Sequence, residues 1–199
     1  MPLPSKTGAP LARISWGAQG QPLWGSTAYW YALPAQPAGS RPDLVMPRSE
    51  LAVPRIPGAI EGEAMKVVEA KGIASPFDMT AFKTGTWSGN QILWWRGAKP
   101  GDKLVLSFDA PKAGRYRVAA YLTKSWDYGI HQLSLNGQKA GEPVDLWNKT
   151  VVPFGPVDLG VFELQAKDNR LAAEVVGTHP FARPKNFMFG LDAIVLSPE

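Results

Sequence analysis

Glycine and proline, 20 and 19 of 199 residues, interrupt this chain so often that no apolar helical period survives over a long window. That density of turn chemistry selects many short strands over long helices. From Ile60 onward the strands can be read off as alternating runs between turn signals. Ala59 to Val68 opens the series. Lys103–Phe108 alternates after the Pro100-Gly101-Asp102 turn, and Arg115–Leu122 follows Pro111-Lys112-Ala113-Gly114. Ile130–Leu135 runs into Asn136-Gly137, a hairpin signal because both central residues of such a turn take positive φ. Val157–Leu164, Leu171–Val176 and Leu191–Leu196 complete the set. The pattern predicts an all-β fold, an antiparallel β-sandwich of jelly-roll type with two packed sheets over residues 58–199.

Thr86–Gly97, Thr-Trp-Ser-Gly-Asn-Gln-Ile-Leu-Trp-Trp-Arg-Gly, is the stretch on which the other strands are expected to pack. The Gly-Asn turn signal starts a strand at Gln91. Side chains alternate along a strand, so Trp94 and Trp95 must point to opposite faces, one into the core and one outside. Eight tryptophans are well above ordinary usage and point to a large aromatic core, a stacking platform, or both.

A hydrophobic fraction of 45% with 19% charged residues describes a globular chain. The net charge of +4 is dispersed with no basic run, so nucleic acid is not an expected partner. The absence of cysteine removes disulfides, thiolate catalysis and cysteine-ligated zinc. No stretch is apolar for long enough to span a membrane as a helix. Met1–Lys6 has no apolar signal core, which leaves two expectations: the protein stays inside, or a signal is removed beforehand.

Residues 1–57 form a separate region. Thr27–Tyr31 reads as a strand, and prolines at 34, 37, 42, 47, 54 and 57 make residues 33–57 an extended strap. Its apolar residues imply that it lies on something. Two readings stand: an arm wrapped on its own domain, or an arm that docks on a neighbouring subunit or a catalytic domain.

Several of these motifs stand in the order of a known family. Ile60-Glu61-Gly62-Glu63, Gly114–Val118, Leu133–Gly137 and Gly190–Leu196 resemble the galactose-binding-like carbohydrate-binding sandwiches, such as module families 6 and 35, over about residues 58–199. Tyr29-Trp30-Tyr31, Glu61-Gly62-Glu63, Trp87-Ser88-Gly89, Trp94-Trp95 and Asp127-Tyr128-Gly129 are also ordered as in the C-terminal accessory domain of proteins similar to glycoside hydrolase family 172. The resemblance implies a carbohydrate-binding accessory domain, extracytoplasmic or secreted. It does not extend to that family's catalytic body. In the sandwiches resembled, a Glu of the first strand and an Asp of the last hold a structural calcium, which implies Glu61 or Glu63 with Asp192. An Asn shortly before the final strand helps to bind sugar there, and Asn186 is placed similarly.

Sugar rings are held by flat aromatic faces and a few polar groups. The loops supply Trp87, Trp126, Asp127, Tyr128, Trp147, Asn148, Asn186 and Phe187 as candidates, with Ser125–Gly129 the most suggestive run. The plainer reading is that such tryptophans pack under loops. Glu61 and Glu63, two apart on an expected strand, would share a face near the roughly 5 to 9.5 Å spacing of glycosidase carboxyls; the alternatives are a solvent face or a metal. His131 sits within a strand and is expected to face a polar group, whereas His179 lies in a loop, so the pair makes a weak metal signal. No Gly-x-Ser-x-Gly elbow or glycine-rich phosphate loop is present. Three functions follow in order: a non-catalytic carbohydrate-binding or accessory sandwich, a self-associating assembly subunit using residues 1–57, and a component of a furanoside-acting glycoside hydrolase. The chain is expected not to be an enzyme on its own.

Overall fold

A computed structural model describes residues 53–83 and 85–199. The expected Thr27–Tyr31 strand and most of the proline strap lie outside these residues. Eleven strands follow in chain order: β1 (Ala59–Glu61), β2 (Lys66–Ala70), β3 (Ile73–Asp78), β4 (Gln91–Arg96), β5 (Lys103–Phe108), β6 (Gly114–Lys124), β7 (Gly129–Leu135), β8 (Gln138–Asp145), β9 (Val152–Leu164), β10 (Asn169–Thr178) and β11 (Phe189–Pro198).

They form two antiparallel sheets. One runs β3-β4-β11-β6-β9, with β1 also paired to β11; the other runs β2-β5-β10-β7-β8. Successive strands repeatedly change sheet, so the two inner faces share one core. Trp95, Leu104, Val118, Leu135, Leu191 and Ile194 are all fully buried in it. Trp95 points inward and Trp94 outward, as the alternation predicts. The Asn136-Gly137 turn joins β7 to β8 with φ of 46° and 82°.

Residues 59–68 are not one strand. A 3-10 turn at Gly62–Ala64 breaks the segment, and β1 joins β11 while β2 crosses to the opposite sheet and pairs with β5. Gly62 permits the crossing because it lies against the Leu191 backbone, where a Cβ would collide with the Leu191 carbonyl oxygen. Glu61 and Glu63 therefore do not share a strand face, and the paired-carboxylate expectation built on that spacing falls. Two strands show no alternating run in the sequence, β8 being implied only by the hairpin turn before it. β3 contains Pro76 and is an edge strand, the place in a sheet where a missing N–H is tolerated. β8 is the opposite sheet's edge and is mostly exposed, so it shows little apolar alternation.

The segment before β1 packs on its own sandwich. The Ile56 amide donates to Ser88 Oγ at 3.0 Å, and the Gly89 amide donates to the Pro54 carbonyl at 2.9 Å. His131, expected beside a polar group, instead points into the core. Its ring lies 5.0 Å from Phe189 and 6.0 Å from Trp95 by centroid, and neither nitrogen closes a hydrogen bond.

Candidate functional site

Between β3 and β4 the chain leaves its sheet and folds back over that sheet's outer face. One helical turn, Thr80–Lys83, is followed by Trp87, whose indole is 1% exposed. Trp87 packs with Met79 and Ile92, and its Nε1 donates to Thr123 Oγ1 at 2.9 Å. It is a core residue of this cover and offers no stacking face, so it drops out of the candidate set.

The residue after it organises an acidic node. The Ser88 amide donates to Asp192 Oδ1 at 3.0 Å, Ser88 Oγ donates to Glu61 Oε1 at 2.8 Å, and Arg55 Nη1 donates to the same Glu61 oxygen at 2.8 Å. Asp192 is delivered by an irregularity: the β11–β6 ladder slips between Leu191 and Ala193. Burial pushes its carboxyl up to about 7, and the charges of Glu61 and Glu63 add to the rise while the Ser88 amide opposes it. Burial likewise raises Glu63, with Glu61 adding to it. The Oε2 atoms of Glu61 and Glu63 are buried with no hydrogen-bond partner. Three sequence candidates thus meet at one place. Among the described residues, however, no three acidic or histidine side chains converge as a closed metal-ligand set.

A second set gathers where the loops after β3, β6, β8 and β10 approach one another. They enclose a cleft of about 270 Å³. Phe77 and Trp94, with ring centroids 4.8 Å apart, line it together with Phe82, Trp126, Tyr128, Val151 and Met188. Trp126 is 43% exposed, whereas Tyr128 contributes from a largely buried ring. Burial raises the Tyr128 phenol above its ordinary range, and the neighbouring Asp127 charge adds to the effect, so Tyr128 stays neutral and can donate.

Asp127 is the carboxylate of this cleft. Its Oδ1 accepts from Ser125 Oγ at 2.9 Å and its Oδ2 accepts from the Asn186 amide at 3.2 Å. The structure thereby joins two sequence candidates 59 residues apart. Phe187 follows at a φ of 54°, a left-handed conformation that turns the chain back toward β11.

The remaining candidates lie elsewhere. Trp147 stacks on His179, with centroids 4.3 Å apart and planes 10° from parallel, and Phe181 tilts against both. Asn148 donates to the Thr150 carbonyl at 2.8 Å and to its hydroxyl at 3.2 Å, which makes it a turn former. Sequence reasoning missed Phe77, Phe82, Trp94 and Met188 as cleft residues. Trp94 carried the one available signal, an outward ring beside an inward one.

No protein-family model matches this sequence, and no curated protein matches it. Among solved structures, part of a Paenibacillus xanthan lyase matches with a TM-score of 0.59 and 21% identity over 74% of this chain and 14% of the lyase. A family 35 carbohydrate-binding module from an environmental isolate matches with a TM-score of 0.43 and 15% identity, over 71% of this chain and 93% of the module. The Podospora anserina GH26-CBM35 β-(1,4)-mannanase matches with a TM-score of 0.42 and 14% identity, over 71% of this chain and 27% of the enzyme. The chain spans only a small part of the lyase, and at 21% identity that likeness shows a shared sandwich fold.

Proposed function

We propose that this chain is a non-catalytic carbohydrate-binding sandwich that acts as the accessory part of an extracytoplasmic carbohydrate-active system, of the kind that accompanies glycoside hydrolases similar to family 172. The observation that carries this reading is the aromatic cleft. Trp126 presents an indole 43% exposed beside Asp127, whose carboxylate is held by Ser125 and Asn186. A sugar ring lays its C–H face on such an indole and offers hydroxyls to the fixed carboxylate, which keeps free lone pairs. Asp127 is the single carboxylate lining the cleft among the described residues, and Glu61, Glu63 and Asp192 are not part of it. Glycoside hydrolysis needs two carboxyls across one sugar, so the cleft favours binding over cleavage.

The acidic node supports a structural cation in the same reading. Calcium there would draw Glu61, Glu63 and Asp192 closer to one point than this structure places them, with backbone oxygens completing its shell. The two partnerless Oε2 atoms leave buried acceptor oxygens that a hard cation would satisfy, and a cation there would oppose the burial that raises the Glu63 and Asp192 carboxyls. Arg55 already supplies part of that compensation at Glu61. Bound there, the ion would neutralise charge and pin β1 to β11.

The test is a glycan-array screen of the full chain followed by calorimetric titration of the strongest hit. Saturable binding that is lost in Trp126→Ala, with unfolding unchanged, is the expected result. Binding that survives Trp126→Ala would move the site elsewhere, and no binding to any glycan would overturn the reading.

A further inference from the structure

Residues 54–56, the last part of the strap before β1, are tied to the acidic node as well as to the sheet. The Arg55 guanidinium lies against Gly89, its Nη1 3.4 Å and its Cζ 3.5 Å from where a side chain would begin. Gly89 holds a φ of 61° inside the Ser88–Asn90 turn, a left-handed conformation that glycine takes freely. From this seat Arg55 Nη1 donates to Glu61 Oε1 at 2.8 Å. The Glu61 side chain is 12% exposed and the Arg55 side chain 62%. The carboxylate is therefore fixed in the fold, and the guanidinium is the partner that can leave. Burial raises the Glu63 carboxyl, and the Arg55 charge acts against that rise, so the guanidinium serves both carboxylates.

Ser88 couples the strap to the node. Its Oγ accepts from the Ile56 amide at 3.0 Å and donates to Glu61 Oε1 at 2.8 Å, while its own amide donates to Asp192 Oδ1 at 3.0 Å. One oxygen of Glu61 thus receives both Arg55 and Ser88, and the other, Oε2, is buried without a partner. Any change at Glu61 reaches Ile56 through a single hydroxyl.

We infer that Arg55 is a built-in counter-cation of the node that competes with a divalent ion for Glu61 and Glu63, and that exchange of one for the other loosens residues 54–56. The inference rests on the calcium reading above and goes beyond it, because it gives Arg55 a role against the ion and the strap a response to it. Arg55 holds Glu61 in an arrangement where the carboxyls do not converge, which opposes the convergence that calcium requires. Two cations on one carboxylate repel each other, the more so where part of the site is shielded from water. The exposed guanidinium yields. Glu61 then turns toward the ion, the Ser88 hydroxyl loses its acceptor, and the Ile56 amide loses its fixed partner.

The wild-type full chain, Arg55→Gln and Arg55→Lys are titrated with calcium by calorimetry. Hydrogen exchange of the Ile56 amide is followed by NMR in chelator and in saturating calcium. Arg55→Gln is expected to bind calcium about tenfold tighter than the wild type, as the loss of one charged competitor gives, and Arg55→Lys to return toward the wild-type affinity. Saturating calcium is expected to speed Ile56 exchange in the wild type by about tenfold, as local opening of a strap does. Calcium binding by Arg55→Gln alone supports the inference and means that the arginine outcompetes the ion in the native chain. Equal affinity in wild type and Arg55→Gln makes Arg55 a structural clamp and overturns the inference, with the calcium reading left standing. Slower Ile56 exchange in calcium shows strap and ion acting together and overturns it as well. If none of the three proteins binds calcium, the inference and the calcium reading both fall, and the carbohydrate reading is untouched.

Discussion

Asn186 donates its side-chain amide to Asp127 Oδ2 at 3.2 Å and so ties the loop after β10 to the loop after β6. Asp127 keeps its other bond, from Ser125 Oγ, when Asn186 is truncated. Asn186→Ala is therefore expected to cost only about 1 kcal/mol of stability, the net worth of one hydrogen bond. If the proposed sugar site is right, its larger effect falls on binding, because the carboxylate proposed to face the sugar loses its orientation. Glycan affinity is expected to drop about tenfold, which corresponds to roughly 1.4 kcal/mol. Urea unfolding and calorimetric titration of the same preparation separate the two effects. A loss of stability large enough to explain the loss of affinity would reduce Asn186 to a scaffold residue.

Two of the three loop tryptophans, Trp87 and Trp126, give opposite outcomes. Trp87 is 1% exposed and hydrogen-bonded to Thr123, so Trp87→Ala leaves a cavity and an orphaned hydroxyl in the cover of the sheet. The expected cost is about 3–5 kcal/mol. Trp126 is 43% exposed, and Trp126→Ala should leave the unfolding midpoint nearly unchanged while removing the stacking face. Equal destabilisation by both substitutions would show that the Trp126 ring is structural.

That pair also marks where sequence reading stops. Both tryptophans sit outside strands in polar, glycine-containing runs, and what separates them is a partner 36 residues away, the Thr123 hydroxyl that satisfies one indole. Local alternation made β5 legible, since Lys103–Phe108 buries every second residue, and local φ preference made the Asn136-Gly137 turn legible. Ile60-Glu61-Gly62-Glu63 misled because its residue types suit a strand. The break arises from Gly62 against the Leu191 backbone, a contact with the other end of the domain. Proline hid β3 for a related reason: whether Pro76 is tolerated depends on the strand being an edge, which is a property of the sheet. Of the cleft, Trp126, Asp127 and Tyr128 were legible as loop residues rich in ring and polar chemistry, as was Asn186, which bonds Asp127 from outside it. Phe77, Phe82 and Met188 were not, because they become neighbours only through the fold.

Calcium binding at the acidic node predicts a thermal shift. A site saturated at about 100 times its dissociation constant stabilises by about 2.7 kcal/mol. For a domain of this size that raises the unfolding midpoint by roughly 5 °C or more. Glu63→Gln, which removes a carboxylate with a partnerless buried oxygen, should abolish the shift. Differential scanning fluorimetry in chelator, magnesium and calcium checks it. An identical midpoint in all three would leave Arg55 as the cation of the node and remove calcium from the reading.

Buried His131 predicts an acid-side loss of stability that is independent of the proposed sugar site. Burial between Trp95 and Phe189 holds its imidazole down to about 4, and nearby backbone groups of Gly129 and Phe187 offset this only in part. The unfolded chain binds the proton near the ordinary histidine value of about 6.5. Between these two values the unfolded state carries more protons, so stability rises with pH across the window. The contribution is fully present above about pH 6.5 and is lost as pH falls toward 4, by on the order of a few kcal/mol. Asp192, raised to about 7, titrates across the same window with the opposite sign, and other carboxylates titrate at its lower end, so the comparison is made against His131→Leu, which keeps every other group. Urea unfolding of both proteins from pH 7.5 to pH 4.5 should show the wild-type protein losing stability faster. Parallel curves would mean that His131 is charged in the folded state or reaches solvent, and the aromatic packing around it would have to be redrawn.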